Sequence, residues 1–198
     1  MELPGSRGHL VLWECLEERC PDGSSCEVPW QLQTSRRRLV RYFTHYWRNE
    51  VVSWHEREIA ENRLPNGLDH TAGNLFSGRR VGRGDLVYVV TVFGGRLRVL
   101  GRLEVDDLLG QSEAQRRAGY ALWEADDHIM ARPGTVRPIR FDVELDATSA
   151  AGLRFVTAQG DVAPVMEGDL LDRQTLRGLR ELTRESALVL DRALGLHP

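Results

Sequence analysis

At 198 residues, with 41% apolar and 28% charged side chains, the chain is long enough for one well-buried core and ordinary in composition for a folded protein. All 26 basic residues are Arg, which excludes Schiff-base lysines, a phosphate-loop lysine and Ser–Lys dyads. The net charge of −3 is unevenly spread: residues 36–102 carry 13 Arg against 6 acidic residues, which suits either a polyanion-facing surface or arginines ion-paired around an outer face.

Residues 1–35 hold all three cysteines and the turn-rich run Pro21-Asp22-Gly23-Ser24-Ser25, with little periodicity. They are expected to form an N-terminal extension, with a boundary near Ser35 and a folded domain over 36–198. The N-terminus lacks the basic-then-apolar order of a signal peptide and no apolar run reaches membrane length, so a cytoplasmic protein with no membrane partner is expected.

From Leu39 to Trp47 the sequence is aromatic and strand-like. Val51, Trp54, His55, Glu58 and Ile59 then fall at helical spacing. Pro65-Asn66-Gly67 ends that helix, and residues 69–78 read as a polar loop. Gly82-Arg83-Gly84-Asp85 is a tight turn that launches the strand Leu86–Phe93, and Gly94-Gly95 folds the next strand, 96–105, back upon it. In that strand Leu97, Val99, Gly101, Leu103 and Val105 are expected on one buried face, with Leu100 the apolar exception on the other. Ser112 with Gln115 predicts a capped helix to about residue 126, followed by strands over 137–145 and 153–157. Thr183 caps a last helix carrying Ala187, Leu190 and Leu194 and closed by Gly195. About five strands broken by helices predict an α+β fold, a small mixed barrel closed by a C-terminal helix rather than a parallel wind.

Several familiar motifs fail on inspection. Trp54-His55-Glu56-Arg57-Glu58 lacks the second His of a zincin, since Ile59 stands in its place. Gly82-Arg83-Gly84-Asp85 leads into a strand, so no helix N-terminus follows to hold a pyrophosphate. No Ser lies in a nucleophile elbow.

Three constellations survive. His9, Cys15, Cys20 and Cys26 supply four zinc-ligand types, a possible structural zinc site in a chain otherwise expected to need no cofactor, although the Cys-x4-Cys-x5-Cys spacing contains no paired knuckle and equally describes reduced thiols. Asp126, Asp127 and His128 adjoin, but neighbouring residues at a helix end diverge, which disfavours a shared metal. The basic segment interleaves Tyr42, His45, Trp47, Trp54, His55, His70, Asn74 and Phe76 with Arg36, Arg37, Arg38, Arg79, Arg80 and Arg83. Aromatic faces stack on bases, His and Asn read base edges, and guanidinium groups bind phosphate; any single aromatic among them serves equally as core.

The runs Arg41-Tyr42-Phe43-Thr44-His45-Tyr46-Trp47, Val81-Gly82-Arg83-Gly84-Asp85-Leu86-Val87-Tyr88 and Leu100-Gly101-Arg102-Leu103-Glu104-Val105 come in an order that resembles the PUA-like superfamily, especially its EVE-type branch, with ASCH domains more distant. The resemblance implies a pseudo-barrel whose concave face binds DNA or RNA, in some members through a modified base in an aromatic pocket. Carried onto this chain, that pocket would use Trp47, Trp54, His70, Asn74 and Phe76. The expected function is therefore a nucleic-acid reader, with Trp47→Ala or Trp54→Ala abolishing binding without unfolding. Two alternatives stay open. One is a ribonuclease-type hydrolase using His55 or His70 as general base, as the ASCH likeness implies. The other is a regulatory module that docks a protein partner through its acidic C-terminal helices.

Overall fold

The centre of the fold is the hairpin that Gly94-Gly95 creates between two long apolar strands. The computed structural model describes residues 39–196 except 75 and 80. In chain order these form β1 (Tyr42–Tyr46), α1 (Asn49–Ala60), β2 (His70–Gly73), a 3-10 turn (Ser77–Arg79), β3 (Leu86–Phe93) and β4 (Arg96–Leu109). There follow α2 (Gln111–Ala118), β5 (Asp127–Ala131), α3 (Ala147–Ala151), β6 (Phe155–Thr157), β7 (Gly160–Val162), β8 (Met166–Glu167) and β9 (Leu170–Leu171). A second 3-10 turn (Arg173–Leu176), β10 (Leu179–Leu182) and α4 (Arg184–Ala193) complete the described chain. The α+β class and the closing C-terminal helix are borne out. Among the described residues no helix is long and apolar enough to cross a membrane.

Eight strands make one mixed sheet in the order β2-β5-β4-β3-β1-β10-β6-β7, while β8 and β9 pair separately. β1 runs parallel to β3; the other pairings are antiparallel. β2 and β7 stand at opposite ends of the order and do not pair with each other, so hydrogen bonding does not close the sheet into a barrel.

The turn before β3 behaves as its residues require. Gly84 takes a positive φ of 84°, and Asp85, 1% exposed, accepts hydrogen bonds from the backbone N–H of Gly82 and of Arg41. One buried carboxylate thus ties the turn to the start of β1.

β4 departs from the expected single face. A bulge lies where Val89 pairs with Gly101 but Val90 pairs with Val99, leaving Leu100 unpaired. Leu97 and Val99 therefore pack with Tyr88, Val90, Phe155 and Leu190 on one side of the sheet. Leu100, Leu103 and Val105 pack with Phe43, Val87, Val89 and Ile129 on the other. The sheet thus separates two cores, and β3 is buried on both faces. On the first side Asp191 of α4 accepts hydrogen bonds from the Tyr88 hydroxyl (2.9 Å) and from Arg102 (2.8 Å), locking the last helix to the central hairpin.

Three local expectations need correction. Part of the 69–78 loop is β2, a strand completed by β5 across the pairs His70↔Met130 and Thr71↔Ile129. α2 begins after Gly110, not at a Ser112 cap, and ends at Gly119, whose φ of 79° gives the left-handed turn that stops it. Residues 137–145 form no regular strand. The segment still runs along β4, with Arg140 N–H bonded to Leu100 O, Val99 N–H to Val143 O and Leu145 N–H to Leu97 O. Pro138 has no N–H to give, and the bulge at Leu100 breaks the ladder it would join.

Candidate functional site: an aromatic cleft

The second core opens to solvent between β1, α1, β2 and the segment that follows α2. Side chains alternate along β1, so Phe43, His45 and Trp47 share one side; Phe43 and Trp47 belong to this core, and His45 and Trp47 reach the cleft. The cleft has two lobes, of ≈ 400 Å³ and ≈ 810 Å³ including solvent-open space, which share Trp47, His55, His70 and Trp123.

One wall is stacked. Trp47 and His55 lie face to face with centroids 4.4 Å apart and planes 26° from parallel, and Trp54 meets His55 edge-on at 4.7 Å. Across the mouth, Trp54 and Trp123 are 6.4 Å apart. Trp47 is buried at 5% exposure, whereas Trp123 is 48% exposed. His55 Nδ1 sits 2.9 Å from the Val51 carbonyl, one turn back on α1, which fixes its ring.

At the floor, Thr71 Oγ1 accepts from Trp47 Nε1 (2.8 Å) and lies 2.7 Å from His45 Nδ1. Hydrogen-bond accounting assigns the proton: all three groups are satisfied only if the Thr71 hydroxyl donates to Nδ1, which makes Nε2 of His45 the N–H. Burial pushes the His45 imidazole down to about 4, so the ring is neutral at neutral pH. His45 Nε2 has no protein partner among the described residues, and the ring lines the wider lobe. The cleft therefore presents a donor there.

His70 lines the same lobe. Its Nδ1 is 2.8 Å from Asp69 Oδ1, and the Tyr120 hydroxyl donates to the same carboxylate at 2.8 and 2.9 Å. Burial works to raise Asp69, but the hydrogen bond and charge of His70 and the Tyr120 hydroxyl outweigh it and hold the carboxyl below its ordinary value. Burial and the facing Asp69 carboxylate raise Tyr120, so its hydroxyl keeps its proton. An ionised Asp69 is acceptor-only, so Nδ1 of His70 carries hydrogen, and the ring lines both lobes. Behind it His128, fully buried, sits 2.7 Å from Gln111 Oε1 through Nε2. Its Nδ1 has no partner among the described residues. Burial, and then the charge of His70, hold His128 below its ordinary value.

Of the residues singled out from sequence, Trp47, Trp54, His55, His70 and Asn74 meet at this cleft. Phe76 does not line it: it is 2% exposed and packs edge-on behind His45 at 4.8 Å. Gly73 admits this packing, since an added Cβ would meet Phe76 Cζ at 2.5 Å. Arg79 is exposed on the first 3-10 turn, outside the lining set. Arg80 and the set His9, Cys15, Cys20 and Cys26, with any zinc they hold, lie outside the described residues. Asp127 Oδ2 accepts from the Ser77 N–H and His128 is turned to Gln111, so Asp126, Asp127 and His128 do not converge on one point. Among the described residues no group of His, Cys, Asp or Glu has metal-site geometry.

Sequence reasoning missed Asp69, Tyr120 and the role of Trp123. Gly119 was the available signal, because it ends α2 and releases residues 120–125 to form the far rim. Comparison with protein-family models, curated proteins and solved structures finds no match to this chain.

Proposed function

We propose that this chain is a nucleic-acid-binding module that holds a single base of DNA or RNA, plain or modified, in the aromatic cleft. The observation that carries the reading is the combination of stacking surfaces at the mouth, Trp54 and Trp123, with two oriented imidazoles, His45 and His70, lining one lobe. A planar heterocycle offers a face to the indoles and edge atoms to the two imidazoles. A PUA-like pseudo-barrel belongs to the same proposal. The parallel β1–β3 pairing and the Gly-Asp turn before β3 support it.

The test is a Trp-fluorescence titration with short single- and double-stranded DNA and RNA, with and without base modification, at two salt concentrations. Salt-sensitive quenching by one class supports the reading, and no response to any class removes it.

A ribonuclease-type hydrolase is the second reading, favoured by the Asp69–His70 contact, which orients an imidazole at the cleft as a general base requires. RNA cleavage with a bell-shaped pH profile that His70→Gln abolishes would support it; intact RNA after prolonged incubation would remove it.

A further inference from the structure

Beside the wider lobe lies a second groove of ≈ 1040 Å³, solvent-open space included. One wall is the end of β1 and the first turn of α1; the other is the second 3-10 turn and the residues that lead into β10. The Tyr46 N–H bonds to Gly178 O at 3.4 Å and joins the two walls. Tyr46 and Arg48 line both this groove and the cleft, so the two are continuous.

The groove gathers Arg48, Arg173 and Arg177, all exposed. Ten described arginines sit on carboxylates, among them Arg83 on Asp106, Arg102 on Asp191 and Arg140 on Asp142, and the unpaired ones outside the groove do not share one pocket with two more that are unpaired. The three groove arginines have no ion-pair partner among the described residues. Glu50 is the only acidic residue among the lining residues. Two further features share the positive sign. α1, 12 residues long, opens here without a side-chain cap, and Asn49, whose Oδ1 accepts from Thr91 at 2.9 Å, keeps its amide N–H groups free as donors.

We infer that this groove is a track for the phosphodiester backbone of a single strand, which leads to the base held in the cleft. The inference rests on the reading of the cleft as a base site. A base drawn out of its stack leaves its own sugar-phosphate at the pocket mouth, and the mouth is where Tyr46 and Arg48 pass from cleft to groove. Planar guanidinium groups with no carboxylate to satisfy them match successive phosphates. DNA and RNA share this chemistry, and parallel titrations with each separate them.

The test is anisotropy with labelled single-stranded DNA and RNA across a salt series. It compares wild type with Arg48→Gln, Arg173→Gln, Arg177→Gln and the triple variant; Arg192→Gln, on α4 and outside the groove, is the control. Each single change should weaken binding roughly three- to tenfold and equally for every sequence. The triple change should reduce the slope of log K against log salt by about 2. Arg192→Gln should change neither, and Glu50→Gln should tighten binding. A triple variant with wild-type affinity and slope, or an equal loss in Arg192→Gln, overturns the track. If the arginines matter but an abasic strand binds as well as an intact one, the track stands and the base site fails. If binding needs Trp54 and Trp123 but ignores the arginines, the base site stands and the track fails.

Discussion

The Thr71 hydroxyl lies 2.7 Å from Nδ1 of His45, and this one contact decides which nitrogen of the imidazole faces the cleft. The same oxygen also holds the Trp47 indole, so a single buried threonine sets both the stacked wall and the donor at the floor. Thr71→Val keeps the shape and removes the hydroxyl. It should destabilise the fold by about 1–3 kcal/mol, because Trp47 Nε1 and His45 Nδ1 lose their partner together. Denaturant unfolding measures that loss. Nitrogen NMR of labelled histidine should show His45 shifting away from a pure Nε2–H tautomer, and an unchanged tautomer would mean that something else fixes the ring.

The tryptophans of the cleft divide by burial. Trp47 is 5% exposed and hydrogen-bonded to Thr71, so Trp47→Ala should cost about 3–5 kcal/mol of stability and cannot report on binding alone. Trp123, exposed at the rim, and the half-buried Trp54 on α1 can be removed with the fold intact. Trp54→Ala and Trp123→Ala should keep the unfolding midpoint near wild type and each weaken oligonucleotide binding by about 1–3 kcal/mol. Unchanged affinity in both variants would mean that the rim does not stack a base.

Acid should destabilise this protein earlier than carboxylate titration alone predicts. His45 is held at about 4 by burial, below its ordinary 6.5. As pH falls below 6.5 the unfolded chain takes up a proton that the folded chain refuses until near 4. The contribution of a neutral His45 is therefore complete above pH 6.5 and is lost progressively down to pH 4, by on the order of 3 kcal/mol. His55 and His128, both lowered chiefly by burial, act in the same direction. Urea midpoints measured from neutral pH to below pH 5 should fall through this window, and His45→Gln should flatten the fall. An equally steep fall in His45→Gln would assign it to other groups.

What was legible in the sequence is what local chemistry determines. The β3–β4 hairpin follows from period-two alternation and Gly94-Gly95, and α4 follows from its Thr183 cap, whose hydroxyl accepts from the Ser186 N–H. The bulge was visible only as Leu100, the apolar residue out of phase in β4. That phase break sends half the strand into a different core. β2 was not legible, because four short residues become a strand only by pairing with β5, over fifty positions away. The site divides in the same way. Trp47, Trp54, His55, His70 and Asn74 come from one stretch of chain and were found together. Trp123 and Tyr120 arrive from beyond α2, and Arg173 and Arg177 from the chain before β10, by long-range packing that no local pattern displays.

The central claim is that the cleft takes a base, and the most direct measurement compares two strands of identical backbone. One strand carries a single base in an otherwise abasic chain, and the other is abasic throughout. The base should raise affinity roughly tenfold or more through stacking, and the combined Trp54→Ala and Trp123→Ala variant should lose that gain while still binding both strands through their phosphates. Equal affinity for the two strands, in wild type and variant alike, would contradict the account.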